Sequence, residues 1–124
     1  MRLTRWIPVI VSFAVLVPTA AIAAGHGAKT IAPTKAQRAG ILKAFGDPPA
    51  ASPCLIVRIA ASKHNYGTVR FSTTKKCLKW AADGVNILKH VNTNRWRILF
   101  EGSSYKCPLA RIPRSVQRDL GVCP

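Results

Sequence analysis

The chain has 124 residues, 48% of them hydrophobic, and 19 lysines and arginines against four acids give a formal net charge of +15. That length holds one domain with one modest core and excludes a second of similar size. The charge favours encounters with polyanions (nucleic acid, anionic lipid headgroups, acidic wall polymers, sulfated glycans), and it destabilises the compact state by self-repulsion.

Residues 1–23 read as a secretory signal peptide. Arg2 and Arg5 form the positive start, Ile7–Val17 is apolar apart from Pro8 and Ser12, and Pro18 and Thr19 break the run. Ala21-Ile22-Ala23 supplies the small-x-small pattern that the peptidase accepts, so cleavage is expected after Ala23, with Ala24 as the alternative. The rival reading is a membrane anchor formed by an uncleaved N-terminal segment, since no charge occurs between Trp6 and Ala28. A spanning helix needs roughly 20 mainly apolar residues, and Pro18, Gly25 and Gly27 interrupt this stretch. Cleavage leaves 101 residues and removes two arginines, taking the charge from +15 to +13. No second apolar stretch is long enough to span, so a secreted, soluble or peripheral protein is expected.

Residues 24–33 read as a flexible leader and 34–124 as a single disulfide-bridged domain. Thr34 caps a helix running to about Phe45, with Ala36, Ala39, Ile41, Leu42 and Phe45 on one side. Gly46 suits the left-handed position after the helix, and Asp47-Pro48-Pro49 stops it. Such a basic amphipathic helix packs on a core or lies on a membrane surface; its Ala-rich face favours the core.

Two hairpins come next. Cys54–Ala61 and Thr68–Thr74 alternate around a His64–Gly67 turn. Matching apolar residues puts Val57 opposite Thr73, Ile59 opposite Phe71 and Ala61 opposite Val69. The second hairpin pairs Gly84–Val91 with Arg95–Gly102 across Asn92–Asn94. Val85, Ile87 and Val91 then share an apolar face with Trp96, Ile98 and Phe100, with Val91 opposite Trp96 and Ile87 opposite Phe100. Ser103–Ala110 is irregular. Pro113–Leu120 reads as a short helix with Val116 and Leu120 inward and Gly121 ending it. The expected fold class is α+β: an N-terminal helix on a four-stranded antiparallel meander, then a short C-terminal helix. Both helices lie on one face, a plan that resembles cystatin-like architecture and transfers no function.

Cys54, Cys77, Cys107 and Cys123 are an even set in an exported chain, which implies two disulfides. Spacings of 23, 30 and 16 do not fit paired zinc ligands. Of three possible connectivities, the hairpin register favours Cys54–Cys77, although Cys54 then faces Lys76, one residue short. Cys107–Cys123 brackets the last helix, and closing that loop stabilises the fold by about 3 kcal/mol in the chain-entropy picture.

No P-loop, dinucleotide fingerprint or H-E-x-x-H is present, so no cofactor or metal is implied. His26, His64 and His90 lack a carboxylate at triad spacing. Asp47, Asp83, Glu101 and Asp119 each have a structural reading as helix-end, turn or surface residues. A non-enzymatic protein is expected. The concentrated signal is basic. Arg58, Arg70, Arg95 and Arg97 fall on outward strand positions and would form a broad cationic sheet face able to chelate phosphate or sulfate oxygens of an anionic polymer, membrane or wall surface. The bland reading is a solvated face that happens to be basic. Further clusters are Lys75, Lys76 and Lys79, and Arg111, Arg114 and Arg118. Trp80 is either a core plug or an exposed anchor, with the plug favoured. The alternative function is a protein-interaction or inhibitor-like module acting through the His64–Gly67 and Asn92–Asn94 loops.

From Asn94-Arg95-Trp96-Arg97-Ile98-Leu99-Phe100-Glu101-Gly102-Ser103, through Cys107-Pro108, Ile112-Pro113, Val116 and Asp119-Leu120 to Cys123, the chain resembles small secreted bacterial proteins of uncharacterised function. The resemblance covers the C-terminal two-thirds. It implies an exported, disulfide-bridged domain and supplies no activity or site.

Overall fold

The computed structural model describes residues 28–46, 48–82, 84–93 and 95–124. The expected signal peptide and its cleavage point lie outside them. Helix α1, Lys35–Phe45, begins at a reciprocal capping box. The Gln37 N–H donates to Thr34 Oγ1 at 3.1 Å, and the Thr34 N–H donates to Gln37 Oε1 at 2.8 Å, so two otherwise orphaned donors are satisfied. Gly46 ends the helix at φ 78°, and its N–H closes on the Leu42 carbonyl, where any larger residue would be strained.

The sheet has five antiparallel strands in chain order: β1 Thr30–Ile31, β2 Leu55–Ala60, β3 Tyr66–Phe71, β4 Val85–Asn92 and β5 Arg95–Gly102. The α+β class holds, but the helix-first, four-stranded, cystatin-like plan does not. β1 precedes α1 and pairs with β2, Thr30 opposite Ala60 and Ile31 opposite Ile59, so part of the expected leader is sheet. Two residues are too few to carry a period, which is why the sequence hid them.

The helices also lie on opposite faces. Leu55, Val57 and Ile59 of β2, Val69 of β3 and Leu88 of β4 pack with Ile41 of α1 and with Trp96. The alternate positions Ala60, Tyr66 and Ile87 pack with Ile112, Val116, Leu120 and Val122 of the C-terminal segment. That segment contains helix α2, Arg114–Asp119. A strand with apolar residues on both sides demands two covering layers.

In the first hairpin, Val57 faces Val69 and Ile59 faces Gly67. Relative to apolar matching, β3 is slid by four residues, an even number that leaves every side chain on its expected face. The cause is Gly67, which belongs to the strand and not to the turn. A Cβ there would stand 3.0 Å from Ile41 Cδ1 and 3.1 Å from the Arg58 carbonyl, so glycine makes room for the helix. In the second hairpin Ile87 does face Phe100, but Leu88 faces Ile98 and His90 faces Trp96. Leu99 and Val91 are therefore extra residues, and each bulge re-aims the side chains beyond it. Trp96 and Ile98 pack towards α1, whereas Leu99 and Phe100 pack on the C-terminal layer. The single apolar face expected for Trp96, Ile98 and Phe100 is split between two cores.

Strands β3 and β4 pair only at Tyr66–Lys89 and Gly67–Leu88. Continued pairing would set Val69 opposite Asn86. Instead the Asn86 side chain serves as the missing peptide: Oδ1 accepts from the Val69 N–H at 2.8 Å and Nδ2 donates to the Val69 carbonyl at 2.8 Å.

Both favoured disulfides are present, Cys54–Cys77 and Cys107–Cys123. They fit an oxidising, extracellular location. The first is not a cross-strand bond. It ties two 3-10 turns, Pro49–Cys54 and Lys75–Trp80, so no strand register has to bring Cys54 opposite Cys77.

Candidate anion-binding site

The four outward arginines do not make one free cationic face. Arg58 is half-buried, donating from Nε to Thr30 Oγ1 at 2.9 Å and from Nη2 to the Thr30 carbonyl at 3.0 Å. It fastens the short edge strand β1. Arg70 donates from Nη2 to the Leu120 carbonyl at 2.9 Å, placing a cation at the C-terminal end of α2, where the helix dipole favours it. Arg95 is exposed at the tip of the second hairpin, opposite Asn92. Arg70 lines a cavity that also holds Glu101, whereas Arg97 enters one whose described lining carries no acid.

That cavity, of ≈ 330 Å³, lies between the β4–β5 pair and the segment preceding α2. Lys89 and Arg97 face each other across the two strands, and Arg111 closes the third side. Ile98, Leu99 and Ile112 supply apolar lining. Lys89 Nζ sits 5.5 Å from the centre of the Tyr66 ring, whose π-face helps hold it. Among the described lining residues none is acidic. Three cations around a partly apolar hollow repel one another, and a bound anion offsets that repulsion.

The position of Arg111 is built. Gln117, 2% exposed, accepts from the Leu109 N–H at 2.8 Å and donates to the carbonyls of Leu109 at 2.9 Å and Ile112 at 2.7 Å. The Cys107–Cys123 bond closes the same segment. Between those anchors Arg111 has φ 66°, the one positive φ at a non-glycine among the described residues. A left-handed arginine costs roughly 1–2 kcal/mol, and strain of this kind persists where the surroundings over-determine it.

The remaining chemistry is dispersed. The Asp119 carboxylate is buried and accepts the Ser62 N–H at 2.7 Å, a tether between the first turn and α2. Glu101 is exposed on β5. His64 and His90 share a second cavity of ≈ 390 Å³ with Gln37, Asn65 and Trp96. The sequence does not foretell that meeting, and no carboxylate lines this cavity among the described residues. Nor do those residues bring three or more His, Cys, Asp or Glu side chains together as metal ligands. Trp80 is half-buried beside Phe45 and Phe71, with Lys79 Nζ 5.4 Å from its ring.

Arg97 and Arg111 stand out in the sequence among the basic clusters, and Lys89 does not. The bulges at Leu99 and Val91 decide which side of the second hairpin is cationic, and no residue type announces them. No protein-family model matches the chain, and no curated protein or solved structure matches it.

Proposed function

We propose that this protein is an exported, non-catalytic binding module that takes an anionic group of an extracellular polymer between Lys89, Arg97 and Arg111. The convergence of three cations on one partly apolar cavity carries the reading. Guanidinium groups bind phosphate and sulfate oxygens in bidentate fashion, and exposed Arg97 and Arg111 are open to a polymer that approaches from solvent. The net charge brings polyanions to the surface, and the cavity selects where they settle. The resemblance to small secreted proteins and the oxidised cysteines agree with an extracellular setting.

Heparin chromatography with a salt gradient tests the site. Arg97→Gln and Arg111→Gln are each expected to weaken binding about tenfold, in keeping with charged hydrogen bonds of roughly 1.5–3 kcal/mol. A control carries the same charge loss at Lys35, Lys43 and Lys106, which are exposed elsewhere. If the control lowers the elution salt as much as Lys89→Gln/Arg97→Gln/Arg111→Gln does, the cavity is not the site.

A further inference from the structure

The geometry points to a second contact surface: the 3-10 turn Lys75–Trp80 is a preformed anchor for an anionic lipid bilayer. In a 3-10 helix, residues three apart eclipse one another. Cys77 and Trp80 form the inward row, Cys77 buried in its bond to Cys54 and Trp80 half-buried. Lys75 with Leu78, and Lys76 with Lys79, form the two outward rows, and all four are exposed. Leu78 is 56% exposed, more than any other large hydrophobic residue described. Its exposure results from the disulfide, which fixes its neighbour inward and so turns Leu78 out.

The combination is specific to a membrane interface. A lone outward leucine adds nothing to polyanion binding, but it gains by entering the boundary between headgroups and acyl chains. Lysines beside it meet acidic headgroups. From Ser72 to Ala82 the chain has three lysines and no acid. The turn is already ordered by the Cys54–Cys77 bond, so little conformational entropy is lost on docking. The cationic cavity does not take part, and the two surfaces are separable.

The test uses the protein recovered after export from an expressing host. It is titrated against vesicles of phosphatidylcholine mixed with phosphatidylglycerol, and against vesicles of phosphatidylcholine alone. Binding is expected only with the anionic lipid. Leu78→Ala is expected to weaken it about tenfold, from the apolar atoms lost. Lys75→Gln/Lys76→Gln/Lys79→Gln is expected to weaken it about a hundredfold, at about fivefold for each charge. Both variants should keep the parent thermal midpoint, Leu78→Ala should keep heparin retention, the lysine variant should lose no more retention than the Lys35/Lys43/Lys106 control, and Arg97→Gln/Arg111→Gln should keep vesicle binding. Absent vesicle binding, or binding indifferent to Leu78→Ala, overturns the anchor and leaves the cavity untouched. Equal losses on heparin and on vesicles in the lysine variant overturn it too, since that marks a general polyanion surface.

Discussion

The two faces of the sheet are closed by different physics. Against α1, the closure is mainly apolar and distributed: Ile41, Val57, Ile59, Val69, Leu88 and Trp96 share it, and Arg38 adds a tether at its edge, donating to the Leu55 and Ser52 carbonyls at 3.1 Å each. Against the C-terminal layer, apolar packing is supplemented by discrete tethers. Gln117 holds Leu109 and Ile112, Asp119 holds Ser62, Arg70 holds Leu120, and Tyr105 Oη donates to the Val122 carbonyl at 3.1 Å. A regular helix satisfies its own backbone, so α1 is laid down chiefly by hydrophobic matching, and its outside tether, Arg38, serves carbonyls of Leu55 and Ser52. The irregular segment around residues 103–113 cannot be laid down that way, and each of its buried peptide groups needs an outside partner. The helix face thus gives a foundation, and the tethered face gives a backbone that can be aimed. The cationic cavity sits on the second.

The sharpest way to break the comparison is at its apolar side. Ile41 is fully buried on α1 and fills the space above Gly67. Ile41→Ala is expected to cost about 2–5 kcal/mol, from lost transfer energy and an unfilled cavity. The loss should be global, with amides of β2, β3 and β4 losing exchange protection together. Protection lost in α1 alone would show that the helix is an appendage and not the foundation.

How much of this was legible obeys the same division. The Thr34 cap, Gly46 and the side-chain faces of β2 and β3 are local or parity-based signals, and they survive errors of register; both disulfides also form, Cys54–Cys77 between two turns and not through the register that suggested it. The slide of the first hairpin did not disturb the faces, because an even shift preserves them. Bulges at Leu99 and Val91 are odd insertions, and each reverses the faces beyond it. That is why Phe100 stays with Ile87 but is parted from Trp96 and Ile98, and why Lys89 could not be grouped with Arg97 beforehand. Asn86 was equally hidden: nothing in its neighbourhood marks a side chain that replaces a peptide group. Arg58 and Arg70 read as free cations because their acceptors, at Thr30 and Leu120, are distant in the chain.

On the tethered side the matching test is Gln117→Leu. The volume is retained while three hydrogen bonds to Leu109 and Ile112 are lost. Each buried peptide group left without a partner costs about 1–3 kcal/mol; only the Ile112 carbonyl bond is wholly buried, and the two part-buried groups of Leu109 can turn to water, so the loss is expected at the lower end of that at Ile41. It should be confined, with exchange protection falling at Leu109 and Gln117-adjacent amides while β2 and β3 stay protected. Heparin affinity should fall as well, because Arg111 is then no longer aimed. Uniform loss across the sheet would remove the distinction between the faces.

The smallest effect separates stability from function at a single residue. Arg111 is held at φ 66°, a conformation that glycine adopts without penalty. Arg111→Gly relieves roughly 1–2 kcal/mol of backbone strain. Against this stands the greater freedom glycine gives the unfolded chain, worth roughly 0.4–1 kcal/mol. The net expectation is a stabilisation of about 0.5–1 kcal/mol, read as a higher midpoint in denaturant, together with weaker retention on heparin. Arg111→Lys should change both little, keeping the strain and much of the retention. A gain in stability with a loss of binding in the glycine variant, neither of them seen in the lysine variant, is what an arginine held for its charge must show. A fall in stability for Arg111→Gly would mean instead that the guanidinium supports the fold, and that the strained backbone serves packing and not the anion.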